Sequence, residues 1–213
     1  MVPPHQYAAP SDPPRHPTRL EFIQPFVVYL SRMNRRILTA GFLGAVAMFL
    51  WTFLAHMVLP LGEAGVRQIA GEGALLNSME ATVKDPGLYL FPNMPPHNDQ
   101  AAYYQKIASG PSGMLIYFPK RQFSFGLTLG VEFLTEFGQA LLGVWLLSMT
   151  RFGSFAGRLG FFVVLGLLAA ITTNISYWNW YGFPAVYTLG AIVTNWVGLI
   201  CAGAVAAWMK IGG

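Results

Sequence analysis

Glu132 and Glu136 stand one helical turn apart, with Gln139 about one turn further on, inside the apolar stretch from Phe125 to Leu147. Spacings of four and three residues put all three side chains on one face of a helix. The stretch is long enough to cross a bilayer, which takes about 20 apolar residues. A charge inside such a segment costs about 2.5–3.5 kcal/mol on insertion scales, so these carboxylates need an inward-facing, hydrated or hydrogen-bonded setting. His56 and Asn174 near the ends of two other apolar runs, and Asn195 within a third, complete the polar set that could meet them. Carboxylate, imidazole and carboxamide together suit a proton or ion site, a transition metal or a polar headgroup. The Glu-x-x-His pattern of helical di-metal sites is absent, and no metal ligand set is assigned. A structural role stands beside these: the same groups hydrogen-bonding one another and fixing helix packing. His56 by itself reads as a hydrogen-bonded interfacial residue or as an axial ligand to a haem or chlorin pigment.

Composition says what surrounds this cluster. The 213 residues are 54% hydrophobic and only 10% charged, where soluble domains carry about 25% charged residues. With a mean hydropathy of +0.46, the chain reads as an integral membrane protein. Its single cysteine, Cys201, excludes an intrachain disulfide. No basic patch with interleaved aromatics offers itself to nucleic acid. GxSxG, Walker, CxxC, HExxH and dinucleotide-binding fingerprints are all missing, so no catalytic residue is assigned and the chain is not expected to be an enzyme.

Four apolar spans are predicted, at residues 37–60, 125–149, 158–176 and 185–209, giving an all-α membrane protein. Residues 1–18, with six prolines, form a tail with no means of building a helix, and a partner protein is the simplest thing to hold it. No apolar core precedes Ile37, so a cleaved secretory signal is not expected. Residues 19–36 mix apolar and basic side chains and suit a helix lying on the membrane surface or a continuous extension of the first span. Residues 61–124 are the sizeable polar region. Within them Gly87-Leu-Tyr-Leu-Phe-Pro92 and Gly113-Met-Leu-Ile-Tyr-Phe-Pro119 are two β-prone runs ended by proline, around a helical stretch near 99–108. A small αβαβ cap with paired strands is the economical reading. Residues 177–184, holding Tyr177, Trp178, Trp180 and Tyr181, have the make-up of an interfacial aromatic loop.

Basic residues orient the spans. Arg15, Arg19, Arg32, Arg35 and Arg36 precede the first, Arg151 and Arg158 lie between the second and third, and Lys210 follows the fourth. In 61–124 Arg67, Lys84, Lys106, Lys120 and Arg121 are balanced by Glu63, Glu72, Glu80, Asp85 and Asp99. The positive-inside rule then predicts both ends inside and the cap outside, in a bacterial inner membrane. Gly190, Thr194, Gly198, Ala202 and Ala206 form a stripe of small residues at four-residue spacing, and Gly126 with Gly130 forms a GxxxG. Both suit close helix contact, within this chain or with another.

His56-Met-Val-Leu-Pro-Leu-Gly-Glu-Ala-Gly65 and Gly110-Pro-Ser-Gly-Met-Leu-Ile-Tyr117 carry a resemblance, over about residues 40–205, to small bacterial four-helix membrane proteins of unknown function. It implies a fold and a membrane and brings no activity or site residue. The expected function is that of a non-catalytic accessory subunit of a larger membrane complex, respiratory or photosynthetic. Its partners would be other membrane subunits and lipids. The alternative is a small transporter or proton-coupled channel using Glu132 and Glu136.

Overall fold

Four long helices form because four runs of the chain are apolar throughout and are broken only at their ends. The structure, a computed structural model, describes residues 34–212. The order is α1 (Arg35–Met57), α2 (Glu72–Thr82), β1 (Gly87–Phe91), a 3-10 turn (Pro96–Asn98), α3 (Gln100–Ser109), β2 (Gly113–Tyr117), α4 (Phe125–Ser148), α5 (Phe155–Tyr181) and α6 (Ala185–Trp208). α1, α4, α5 and α6 are each long and apolar enough to cross a membrane, and the chain is a multi-pass membrane protein. The proline-rich tail and most of the expected interfacial segment, residues 1–33, lie outside the described residues. Arg35 and Arg36 open α1 itself.

The buried faces follow the 3.6-residue period. α1 buries Ile37, Ala40, Gly41, Gly44, Ala45 and Met48, and α4 buries Glu136, Ala140, Gly143, Val144 and Leu147. Large side chains point the other way: Phe42, Leu50, Phe53, Leu127, Leu134, Val164, Leu168 and Leu189 are all exposed. Small residues inside and bulky ones outside is the arrangement of helices in lipid, where association rests on close backbone approach. α1 meets α4 where a side chain on Gly41 would strike Leu141, and meets α6 where Gly44 faces Ala202. Phe162 of α5 lies where Gly143 of α4 and Gly203 of α6 have no side chain.

The small-residue stripe packs within this chain. Gly190 lies under the Leu61 carbonyl, Gly198 faces Trp51 and Met48, and Ala202 and Ala206 are fully buried. The GxxxG does not: among the described residues nothing comes within 4 Å of where a side chain on Gly126 or Gly130 would begin.

The aromatic segment is a correction. Residues 177–181 are helix, not loop, and α5 stops only at Gly182, whose φ of 71° suits glycine. Asn174 and Ser176 turn their side chains back to the carbonyls of Ala170 and Thr172, so the polar residues join the helix instead of ending it. α5 likewise starts before Arg158, at Phe155, with the Ser154 hydroxyl accepting from the Gly157 amide. Arg158 is therefore no flanking charge. It is buried, donating from Nε to the carbonyls of Ile211 and Gly212 at 2.8 and 2.9 Å and from an Nη to Gly153 at 3.3 Å. Arg36 reaches the carbonyls of Met209 and Lys210 from the other side. Two guanidiniums thus hold the C-terminal end of α6, where the orphan carbonyls are.

The insert between α1 and α4 has the α, β, α, β order expected of residues 61–124. β1 and β2 pair antiparallel, Gly87 opposite Tyr117 and Phe91 opposite Gly113. Asp99 caps α3 by accepting from the Ala102 amide at 3.0 Å. Neither α2 nor α3 buries a residue. Segment 61–65 joins the insert to the bundle, with Gly65 (φ 83°) against Val186 and Pro184 at the start of α6.

Candidate intramembrane polar site

α1, α4 and α6 each contribute polar side chains to one cavity of about 190 Å³. From α1 come Thr52 and His56, four residues apart; from α4 Glu132, Glu136 and Gln139; from α6 Thr194 and Asn195. Five of the six residues singled out by type and spacing thus line a single cavity. The sixth, Asn174, lines an adjoining one of about 250 Å³ with Leu61, Gly62 and Tyr187. His56, Thr194 and Asn195 belong to both walls.

Glu136 is the buried member, at 3% exposure. Its Oε1 accepts from the Thr52 hydroxyl at 2.6 Å, and its Oε2 has no hydrogen-bond partner among the described residues. A buried carboxylate oxygen with no donor costs several kcal/mol if left ionised in apolar surroundings, so it calls for a proton or a cation from the cavity side. Glu132, Gln139 and Asn195, by contrast, are exposed.

Neighbouring groups are fixed by the backbone. The His56 Nδ1 lies 2.9 Å from the Thr52 carbonyl. That oxygen can only accept, so Nδ1 carries a proton. The imidazole's other edge lies against Gly62, which has no side chain to push it away. Thr194 donates its hydroxyl back to Gly190, and its carbonyl accepts the Trp51 indole N–H at 2.9 Å, tying α1 to α6 beside the cavity. On the other flank Phe42 and Phe49 of α1 meet Phe133 of α4 edge to face at 6.0 and 5.7 Å.

Sequence reasoning missed Thr52 and placed Thr194 only in the packing stripe. Thr52 stands four residues before His56, the one signal that could have found it. No group of three His, Cys, Asp or Glu side chains is placed to hold a metal ion among the described residues. A larger open cleft of about 910 Å³ lies between the hairpin with α3 and the α5–α6 corner. Its walls are Leu90, Phe91, Tyr103, Met114, Trp180 and Phe183, with no carboxylate, imidazole or amine, so the acid–base groups gather elsewhere.

No protein-family model, curated protein or solved structure matches this chain. The reading of the site therefore rests on its geometry.

Proposed function

We propose that the chain is a small cation- or proton-coupled membrane transporter whose binding residue is Glu136. One observation carries this: a carboxylate 97% removed from solvent, in a helix long and apolar enough to span the membrane, with one oxygen hydrogen-bonded and the other buried without a partner among the described residues, in a side chain that lines a polar cavity. Purely structural carboxylates are satisfied on both oxygens, since an unmade hydrogen bond to a buried charged group is the costly case. Thr52 holds the carboxyl in place, and Glu132 beside it raises the negative potential that draws a cation in. The orientation that goes with this reading has both chain ends inside and the insert outside a bacterial inner membrane. The gathering of Arg36, Arg151 and Lys210 at the end of the bundle away from the insert supports it. The test is flux in liposomes holding the purified chain, with a pH dye and with sodium and potassium gradients. Glu136→Gln is expected to abolish the flux while the protein stays folded. Equal flux from both proteins, or none from either, counts against transport.

A second reading, that of an accessory subunit in a larger respiratory or photosynthetic assembly, is favoured by the outer half of α4. There Gly126 and Gly130 offer a close-approach surface that none of the described residues covers. Lipids would cover it otherwise, and a pigment or haem held through His56 belongs to the same reading. Mild-detergent extraction followed by native separation decides: migration with a large assembly supports the accessory role, and migration near 23.4 kDa plus detergent removes it.

A further inference from the structure

The two adjoining cavities lie at one end of the bundle. The shallower is walled by Leu61 and Gly62 just after α1, Asn174 near the end of α5 and Tyr187 at the start of α6, all on the insert side. The deeper reaches Met48, Gln139 and Gly198. Gln139 and Gly198 are 14 and 13 residues into α4 and α6, or about 20 Å at 1.5 Å per residue, just past the middle of helices about 36 Å long. Beyond that floor the bundle is shut. Ala140, Val144, Leu147, Ala202 and Ala206 are all fully buried. Phe162, the largest fully buried side chain, is set between the glycines at 143 and 203, a Cβ on Gly143 falling 2.7 Å from its ring. Among the described residues neither cavity wall includes a lysine or arginine, and between them the walls carry two carboxylates, three carboxamides and an imidazole.

We infer that the paired cavities are a one-sided entry path for a small cation, open from the insert side past His56 to Glu136 and closed towards the other side by the tight packing of Gly44, Ala140 and Ala202, with Phe162 buried beyond it. The inference rests on reading Glu136 as the ion-binding residue, but it makes no demand that ions complete the crossing. The lining selects the ligand: acceptor oxygens with net negative charge favour a hydronium or a partly dehydrated metal cation and repel anions. The close fit of Phe162 against two glycines makes it an element that would also have to move for an ion to leave by the far side, since packed interiors switch between discrete arrangements.

Thiol accessibility tests the path. The native Cys201 is replaced by alanine, and single cysteines are placed at Asn195 in the shared wall, at Val144 below the floor and at the exposed Ser109 of the insert, which reports the insert's side. Silver ion in chloride-free buffer, about the size of a dehydrated alkali ion, is added to one face of sealed vesicles. Thiols left unreacted are counted after unfolding. The expected result is that Asn195→Cys reacts from the side that reaches Ser109→Cys and not from the other, and that Val144→Cys reacts from neither. Gln139→Cys serves the same purpose where Asn195→Cys does not fold. A cationic methanethiosulfonate should outpace an anionic one at the cavity cysteine by about tenfold or more, relative to free thiol. Reaction from the far side, from neither side, or faster with the anionic reagent overturns the inference. One-sided reaction without any flux leaves the path standing and removes only the transport reading.

Discussion

The Thr52 hydroxyl donates to Glu136 Oε1 across the α1–α4 interface at 2.6 Å, while the buried Oε2 of the same carboxyl has no partner among the described residues. This half-satisfied state distinguishes a binding group from a packing device, and stability measures it. Thr52→Val keeps the shape but leaves both oxygens bare, and is expected to cost about 1–3 kcal/mol. Glu136→Leu removes the orphan altogether. If Glu136 serves binding, that variant should be as stable as the parent or more so, because functional sites commonly trade stability for activity. Thermal unfolding in detergent checks both. A Glu136→Leu protein that melts well below the parent would return Glu136 to a structural role.

Glycines separate contacts made inside the chain from those left open. Gly203→Ala drives a methyl group into Phe162, and Gly143→Ala strikes the edge of the same ring. Each should destabilise by about 1–3 kcal/mol as overpacking does. Gly126→Ala and Gly130→Ala meet nothing among the described residues and should be neutral or slightly stabilising in the purified chain, since alanine is the better helix former by about 1 kcal/mol. Their effect in native membranes is the informative one. If the alanine variants still melt like the parent when pure but lose a partner on extraction, the accessory reading gains its first direct support.

Much of this architecture could be read in the sequence because membrane helices announce themselves by length and apolarity, and because periodicity alone puts Glu132, Glu136 and Gln139 on one face. What could not be read is which helix supplies the facing group. Thr52 is an ordinary threonine until the register of α1 against α4 is known. The end of α5 was misread for a different reason: aromatic-belt composition says where a segment sits in the membrane and nothing about whether it is coiled. The true stop signal, Gly182 followed by Pro184, lay at the end of that segment. In the sequence Arg158 reads as a topology marker, since a sequence cannot show that three carbonyls converge on it.

Arg158 gives the next prediction. Its guanidinium bonds the carbonyls of Gly153, Ile211 and Gly212 at once, a geometry that needs a planar fork of donors. Arg158→Lys keeps the charge but cannot reach all three, and should cost about 1.5–3 kcal/mol, the scale of one hydrogen bond to a charged group. The loss should be local: hydrogen exchange should quicken over residues 205–212, at the end of α6, while cysteines in the polar cavity keep their reactivity. Uniformly faster exchange across the bundle would mean that Arg158 holds the whole fold and not one helix end.

His56 and Gly62 supply the last. The imidazole lies between the two cavities, its Nδ1 tied to the Thr52 carbonyl and its far edge against Gly62. A methyl group at position 62 would overlap that edge, so Gly62→Ala must swing the ring away from the shared wall. Gly62 is not among the glycines with positive φ, so alanine fits the backbone there and the fold should survive, with unfolding shifted by less than about 1 kcal/mol. On the proposed path the displaced ring should change silver-ion access to Asn195→Cys severalfold from the insert side, and flux through the Glu136 site should change with it. His56→Ala should abolish this sensitivity, because the three atoms nearest that methyl group all belong to the ring. If Gly62→Ala acts equally in the presence and absence of His56, the two residues are not coupled, and His56 does not stand in the path.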